Sequence, residues 1–164
     1  MVLMSTLGNG GMLWIALSVI LLCRRKTRRC GWLILLAMAL GFLINDIFLK
    51  NLIERIRPCN MRPDLTLLLP QAPQTFSFMS GHTLSSFAAA KVIFLHHKKW
   101  AIPAGITAAL IAFSRLYLYV HFPTDVLAGM VFGIALATAL VKGVDAWGRH
   151  RQRKQDVFSE RNRP

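Results

Sequence analysis

Ser114-Arg115-Leu116-Tyr117-Leu118-Tyr119-Val120-His121-Phe122-Pro123-Thr124-Asp125 lies where one long apolar run ends and the next begins. Arg115, His121 and Asp125 are polar groups that a bilayer-embedded chain does not place there without a reason. Pro123 suits the first turn of a following helix, where its missing N–H would have no partner anyway. That sets Asp125 inside the first turn and His121 just before it. A carboxylate one turn along reaches back to the imidazole, fixing its tautomer and leaving the other ring nitrogen free to attack or to move a proton. The bland alternative is a capping carboxylate next to an interfacial histidine.

The solvent around this stretch follows from composition. The 164 residues are 54% hydrophobic with a mean hydropathy of +0.45, too apolar for a water-soluble fold of that size, so the chain reads as one integral membrane domain. A formal net charge of +13 raises nucleic acid as a partner. The basic residues fall in clusters between apolar runs and not on one soluble face, which argues against it. Cys23, Cys30 and Cys59 form no CxxC pair and no set with metal-ligand spacing. They read as free thiols.

Five apolar runs organise the chain. Residues 1–11 carry no basic side chain and lead into an apolar run over 12–23, followed by Arg24-Arg25-Lys26-Thr27-Arg28-Arg29. A secretory signal has its positive charge before the apolar core, so this reversed order predicts a retained spanning helix that starts outside. Residues 5–11 would add its upper turns, since a bilayer needs about 20 residues. Gly8, Gly10 and Gly11 lack the Lys and Ser/Thr of a phosphate-binding loop and fit close helix packing. The second run, 31–49, ends in Asn45-Asp46 and Lys50 and opens into a polar loop, 51–74, holding Glu54, Arg55, Arg57, Pro58, Arg62, Pro63 and Asp64. The third, 76–95, opens with Met79-Ser80-Gly81-His82 and closes at His96-His97-Lys98-Lys99. The fourth, 100–120, leads into the opening stretch, and the fifth, 124–144, into a basic tail. The predicted fold is all-α: a polytopic transmembrane bundle of about five spanning helices over 1–146, with a tail over 147–164 too polar and too short to fold alone and so disordered.

Charge orients the spans. Fourteen Lys and Arg lie on one side, within 24–29, at Lys98-Lys99, at Lys142 and in the tail; five, Lys50, Arg55, Arg57, Arg62 and Arg115, lie on the other. The positive-inside rule puts the fourteen, and the tail, in the cytoplasm. Lys50 then ends helix two, Ser80 and His82 begin helix three, Arg115 ends helix four, and His121 with Asp125 begins helix five. Four helix ends converge on one outward-facing pocket.

Its chemistry is that of an anion site. Lys50 and Arg57 are seven residues apart and share a face if helix two continues to Pro58; Arg115 adds a third cation. Phosphate oxygens suit them, Arg as a fork and Lys as a point charge. Ser80 and Gly81 add a hydroxyl and a close backbone N–H at the positive end of a helix. His82 and His121 give one imidazole able to protonate a leaving oxygen and one able to attack phosphorus. Phosphoryl transfer needs mostly positioning and charge stabilisation, which this set supplies. Glu54 and Arg55 read as loop charges, and Asp46, one turn before Lys50, as its partner or as a protonated packing group.

Lys50-(six residues)-Arg57-Pro58, then Ser80-Gly81-His82, then Ser114-Arg115-(five residues)-His121-(three residues)-Asp125 closely resembles the three-part signature of the type 2 phosphatidic acid phosphatase family, PAP2. The resemblance covers about residues 5–144. It implies a helical-bundle, metal-independent phosphatase of membrane lipids. His121 would be the nucleophile forming a phosphohistidine, Asp125 its orienting partner and His82 the general acid, with Lys50, Arg57, Ser80, Gly81 and Arg115 holding the phosphate. Two features depart from the family. Met79 stands where the family usually has Pro, and the first motif follows the second span where membrane members commonly place it after the third, as if a preceding helix were missing.

Short external loops and no soluble lobe require a lipid whose headgroup reaches the outer surface while its tail stays in the bilayer. Small bacterial relatives look like plasma-membrane enzymes hydrolysing undecaprenyl diphosphate, and phosphatidic acid or phosphatidylglycerol phosphate is the runner-up. A non-catalytic headgroup binder is the rival of another class, but it could dispense with His82, His121 and Asp125. An anion transporter would need polar residues through the middle of several spans, where only Lys91 and Asp46 stand out. Oligomeric state is not legible.

Overall fold

The computed structural model describes residues 1–62 and 73–161; Pro63 and Asp64 of the polar loop and Arg163 of the tail lie outside them. Among the described residues every regular element is helical: α1 (Val2–Gly8), a 3₁₀ turn (Asn9–Gly11), α2 (Met12–Leu22), α3 (Arg28–Phe42) running into a π-helical segment (Leu43–Leu49), α4 (Lys50–Ile53), α5 (Pro58–Met61), α6 (Gly81–His96), α7 (Lys98–Tyr117) and α8 (Pro123–Arg161). Among the described residues three helical stretches are long and apolar enough to cross a membrane, Arg28–Met61 (broken near its end at Glu54), Lys98–Tyr117 and Pro123–Asp156; the stretch over Asn9–Leu22 is apolar but shorter.

The five apolar runs become α2, α3, α6, α7 and α8, with corrections at their ends. Residues 5–11 do not extend the first helix. Gly10 and Gly11 take left-handed φ values of 57° and 70°, so α1 breaks off and folds over the bundle. The second helix does not reach Pro58 either: Glu54 adopts φ 48° after Ile53, and Arg57 is extended as the N-cap of α5. The third helix starts at Gly81 and not at 76, because Ser80 caps it by accepting from the Thr83 N–H. Pro123 occupies the first position of α8, as expected. The tail continues α8 and is helical to Arg161. Arg, Gln, Lys and Glu are good helix formers, and extending an existing helix needs no new nucleus.

α6 is the central helix, packed against α3, α7 and α8. Its Ala88, Ala89 and Val92 are wholly buried with Ile34 and Ala37 of α3, Ala108 and Ile111 of α7 and Ala137 of α8. Small side chains allow these close approaches. A Cβ on Gly129 would stand 2.8 Å from the Ser80 carbonyl oxygen, and one on Gly133 only 2.5 Å from that of Leu84. This small-xxx-small pair seats α8 directly on the α6 backbone. The Trp14 Nε1–H donates to Ser86 Oγ at 2.9 Å, tying α2 to the same helix. Large apolar side chains such as Trp32, Phe48, Ile102 and Val131 face outward, as a lipid solvent permits.

Candidate active site

The π-helical segment presents Asn45 and Asp46 to the bundle interior, with Lys50 following at the start of α4, and such segments recur at functional sites. Asn45 is fully buried; its amide donates to the Met79 carbonyl and accepts from the Met79 N–H, both at 3.1 Å. A proline at 79 could not make the second bond. Asp46 pairs with the Lys50 ammonium, the first of the two readings of that carboxylate, and its carboxylate lies against Gly81 at the start of α6.

Because the chain breaks at Glu54, Arg57 meets the site from a loop and not from a shared helix face. Its guanidinium donates to the Thr75 carbonyl (2.6 Å) and hydroxyl (2.9 Å), to the Val120 carbonyl (3.0 Å) and to His121 Nε2 (3.0 Å). An arginine only donates, so Nε2 is the accepting nitrogen and the ring proton sits on Nδ1. Nδ1 faces the Asp125 carboxylate at 3.6 Å, beyond direct hydrogen-bond reach, and Ser77 Oγ at 3.4 Å. Ser77 donates to the same carboxylate, so its hydroxyl bridges the pair that was expected to touch directly. Asp125, fully buried, also accepts from the Phe122 N–H at 3.0 Å and from Arg55 at 2.7 Å. Arg55 is therefore no loose loop charge. It also donates to Thr124 at 2.8 Å and lies 4.1 Å over the Phe122 ring. Burial pushes the His121 imidazole down to about 4; the nearby Asp125 carboxylate opposes that shift, and the Arg57 and Arg115 cations add to it.

His82, one residue into α6, points Nε2 at Asn9 Oδ1, 2.9 Å away. Arg115, on the last turn of α7, is 4% exposed and donates to Ser5 Oγ, while its Nε has no hydrogen-bond partner among the described residues. Lys50, Arg57, Gly81, His82, Arg115 and His121 line a single cavity of about 770 Å³. Ser80 and Asp125 do not line it. The Ser80 hydroxyl is occupied at the helix N-terminus, accepting from Thr83, and its N–H donates to the Asp125 backbone carbonyl at 3.2 Å, joining the starts of α6 and α8. Sequence reasoning missed Asn9, Asn45, Ser77 and Thr75. Asn45 had a signal, a polar residue closing an apolar run; the others sit in segments whose partners are set only by the fold. Among the described residues, His, Cys, Asp and Glu form no cluster of three placed to hold a metal.

A helical bundle with membrane-length apolar helices, and two imidazoles and three cations in one cavity at its helix ends, defines a class of membrane-embedded anion sites built on histidine. The chain belongs to the PAP2 superfamily, whose family model matches residues 30–149. It is 32% identical over 121 residues to the undecaprenyl-diphosphatase of Sulfolobus acidocaldarius, covering 73% of this chain and 58% of that one. It is 40% identical over 126 residues to phosphatidylglycerophosphatase B of Bacillus subtilis, covering 70% and 58%. The crystal structure of Aquifex aeolicus LpxE superposes with a TM-score of 0.70 at 31% identity, over 85% of this chain and 81% of that one. The chain thus spans under two thirds of the length of the first two relatives.

Proposed function

We propose that this chain is a membrane lipid phosphatase that removes the terminal phosphate of a lipid phosphate or diphosphate through a phosphohistidine on His121. The observation that carries the reading is the buried Arg115 guanidinium, whose Nε has no hydrogen-bond partner among the described residues, in a cavity it shares with Lys50, Arg57 and two imidazoles. Buried polar groups are almost always satisfied, so this one calls for an acceptor, and a phosphate oxygen supplies it. His121 Nε2 attacks phosphorus once Arg57 turns to the phosphate; Ser77 and Asp125 hold the ring and offset the positive charge it gains. His82 protonates the leaving oxygen. Lys50, Arg57 and Arg115, with the Gly81 N–H, hold the equatorial oxygens, and Ser80 acts by fixing the start of α6. No metal enters this scheme.

Undecaprenyl diphosphate is the substrate we favour, on the likeness to the Sulfolobus undecaprenyl-diphosphatase and on an outward-facing cavity with the α8 tail in the cytoplasm, an orientation read from the distribution of Lys and Arg. Phosphatidylglycerol phosphate or phosphatidic acid is the second reading, favoured by the likeness to the Bacillus phosphatidylglycerophosphatase. The test is phosphate release by purified protein in detergent with a chelator present, across these three lipids. Release from at least one, inhibition by vanadate and its loss in His121→Ala are expected; full activity in His121→Ala, or strict dependence on added metal, contradicts the mechanism.

A further inference from the structure

The N-terminal segment reaches both ends of the site. Ser5 accepts from Arg115, and Asn9 Oδ1 stands 2.9 Å from His82 Nε2. The segment is held there by contact: a Cβ on Gly8 would lie 2.9 Å from Cδ2 of the His82 ring and 3.0 Å from Ile111 Cγ2. The left-handed Gly10 and Gly11 then turn the chain down into α2. Asn9, Gly8 and His82 all line the same cavity.

A carboxamide oxygen accepts and never donates, so this contact puts a hydrogen on His82 Nε2. We propose that Asn9 is a positioning residue for His82, holding the ring with its proton on Nε2 until the leaving oxygen of the substrate takes the place of the Asn9 carbonyl. The inference rests on the phosphatase reading above. In the first half-reaction His82 takes up a second proton from solvent as the phosphate anion enters beside it; the lone pair of His121 Nε2 then forms the N–P bond while the bond from phosphorus to the leaving oxygen breaks, and His82 gives its Nε2 proton to that oxygen, becoming neutral. In the second half, water oxygen bonds to phosphorus as the N–P bond breaks, and one water proton returns to His82. An amide carbonyl is too weak a base to take the proton itself. It keeps the donor aimed without consuming it, and because Asn9 is exposed at the cavity mouth the substrate can displace it.

A group that serves only proton donation matters in proportion to how poor the leaving group is. The experiment therefore measures kcat for the full chain in detergent on p-nitrophenyl phosphate, whose leaving group needs little help, and on phenyl phosphate, whose leaving group needs more. Asn9→Ala is expected to lower the phenyl phosphate rate at least five times more than the p-nitrophenyl phosphate rate. Asn9→Asp, which keeps an acceptor oxygen, should return that ratio to within about twofold of the unsubstituted protein. Equal losses on both substrates, no change on either, or an Asn9→Asp ratio as poor as that of Asn9→Ala overturns the proposal. An unsubstituted chain that hydrolyses neither ester and releases no phosphate from the three lipids overturns the phosphatase reading, and this inference with it.

Discussion

His121 brings together the requirements of a nucleophile: a buried ring, an accepting Nε2 and a proton held on the side of Asp125 and Ser77. Its pKa, pushed down to about 4 chiefly by burial, has a definite consequence. A depressed pKa favours the neutral ring, so Nε2 keeps its lone pair until the pH falls to about 4, where an ordinary histidine would already be protonated below 6.5. The acid limb of kcat/KM in the free enzyme is expected well below 6.5; a limb centred at 6.5 or above would show an unperturbed histidine. The ionisable and cationic residues of the site were legible in the sequence because their types and intervals are unusual at the ends of apolar runs. Ser77 and Arg55 were not. A serine in a loop and an arginine in a charged loop are ordinary until the fold brings both onto the Asp125 carboxylate.

The site depends on how its elements are seated. α6 and α8 carry His82 and Asp125, and their spacing is fixed where Gly129 and Gly133 rest on the Ser80 and Leu84 carbonyl groups. A methyl group at 133 has no room, so Gly133→Ala should destabilise the protein by about 1–3 kcal/mol and reduce activity. Gly105→Ala, within α7 with nothing near its added Cβ, should instead be neutral or stabilise by up to about 1 kcal/mol. Thermal melting in detergent checks both, and equal effects would remove the glycine seat from the account. The helices were legible from apolar periodicity and from Pro123, but their ends were less so. The break at Glu54 has no glycine or proline to announce it, and the turn at Gly10 and Gly11 looks in sequence like packing glycines. Each error moved a side chain. Arg57 arrives from a loop, and the N-terminal segment supplies Ser5 and Asn9 to the cavity in place of upper turns of a spanning helix.

At the scale of the molecule, parts of the chain more than a hundred residues apart build one cavity: Ser5 and Asn9 from the start, Lys50 and Arg57 from the middle, Arg115 from the end of α7 and His121 from the turn before α8. A bundle whose helices end together can do this with short connections, because the polar groups come mostly from helix ends and the loops that join them. The central claim is that these parts serve one covalent step at His121. Rapid quenching of the purified protein during turnover of a phosphate-labelled lipid substrate, followed by mapping of the label under alkaline conditions that preserve phosphohistidine, measures that step directly. The account predicts label on His121, absent in His121→Ala and accumulating when leaving-group release outpaces hydrolysis. Label on another residue, or turnover with no covalent label in a protein that still releases phosphate, would contradict it.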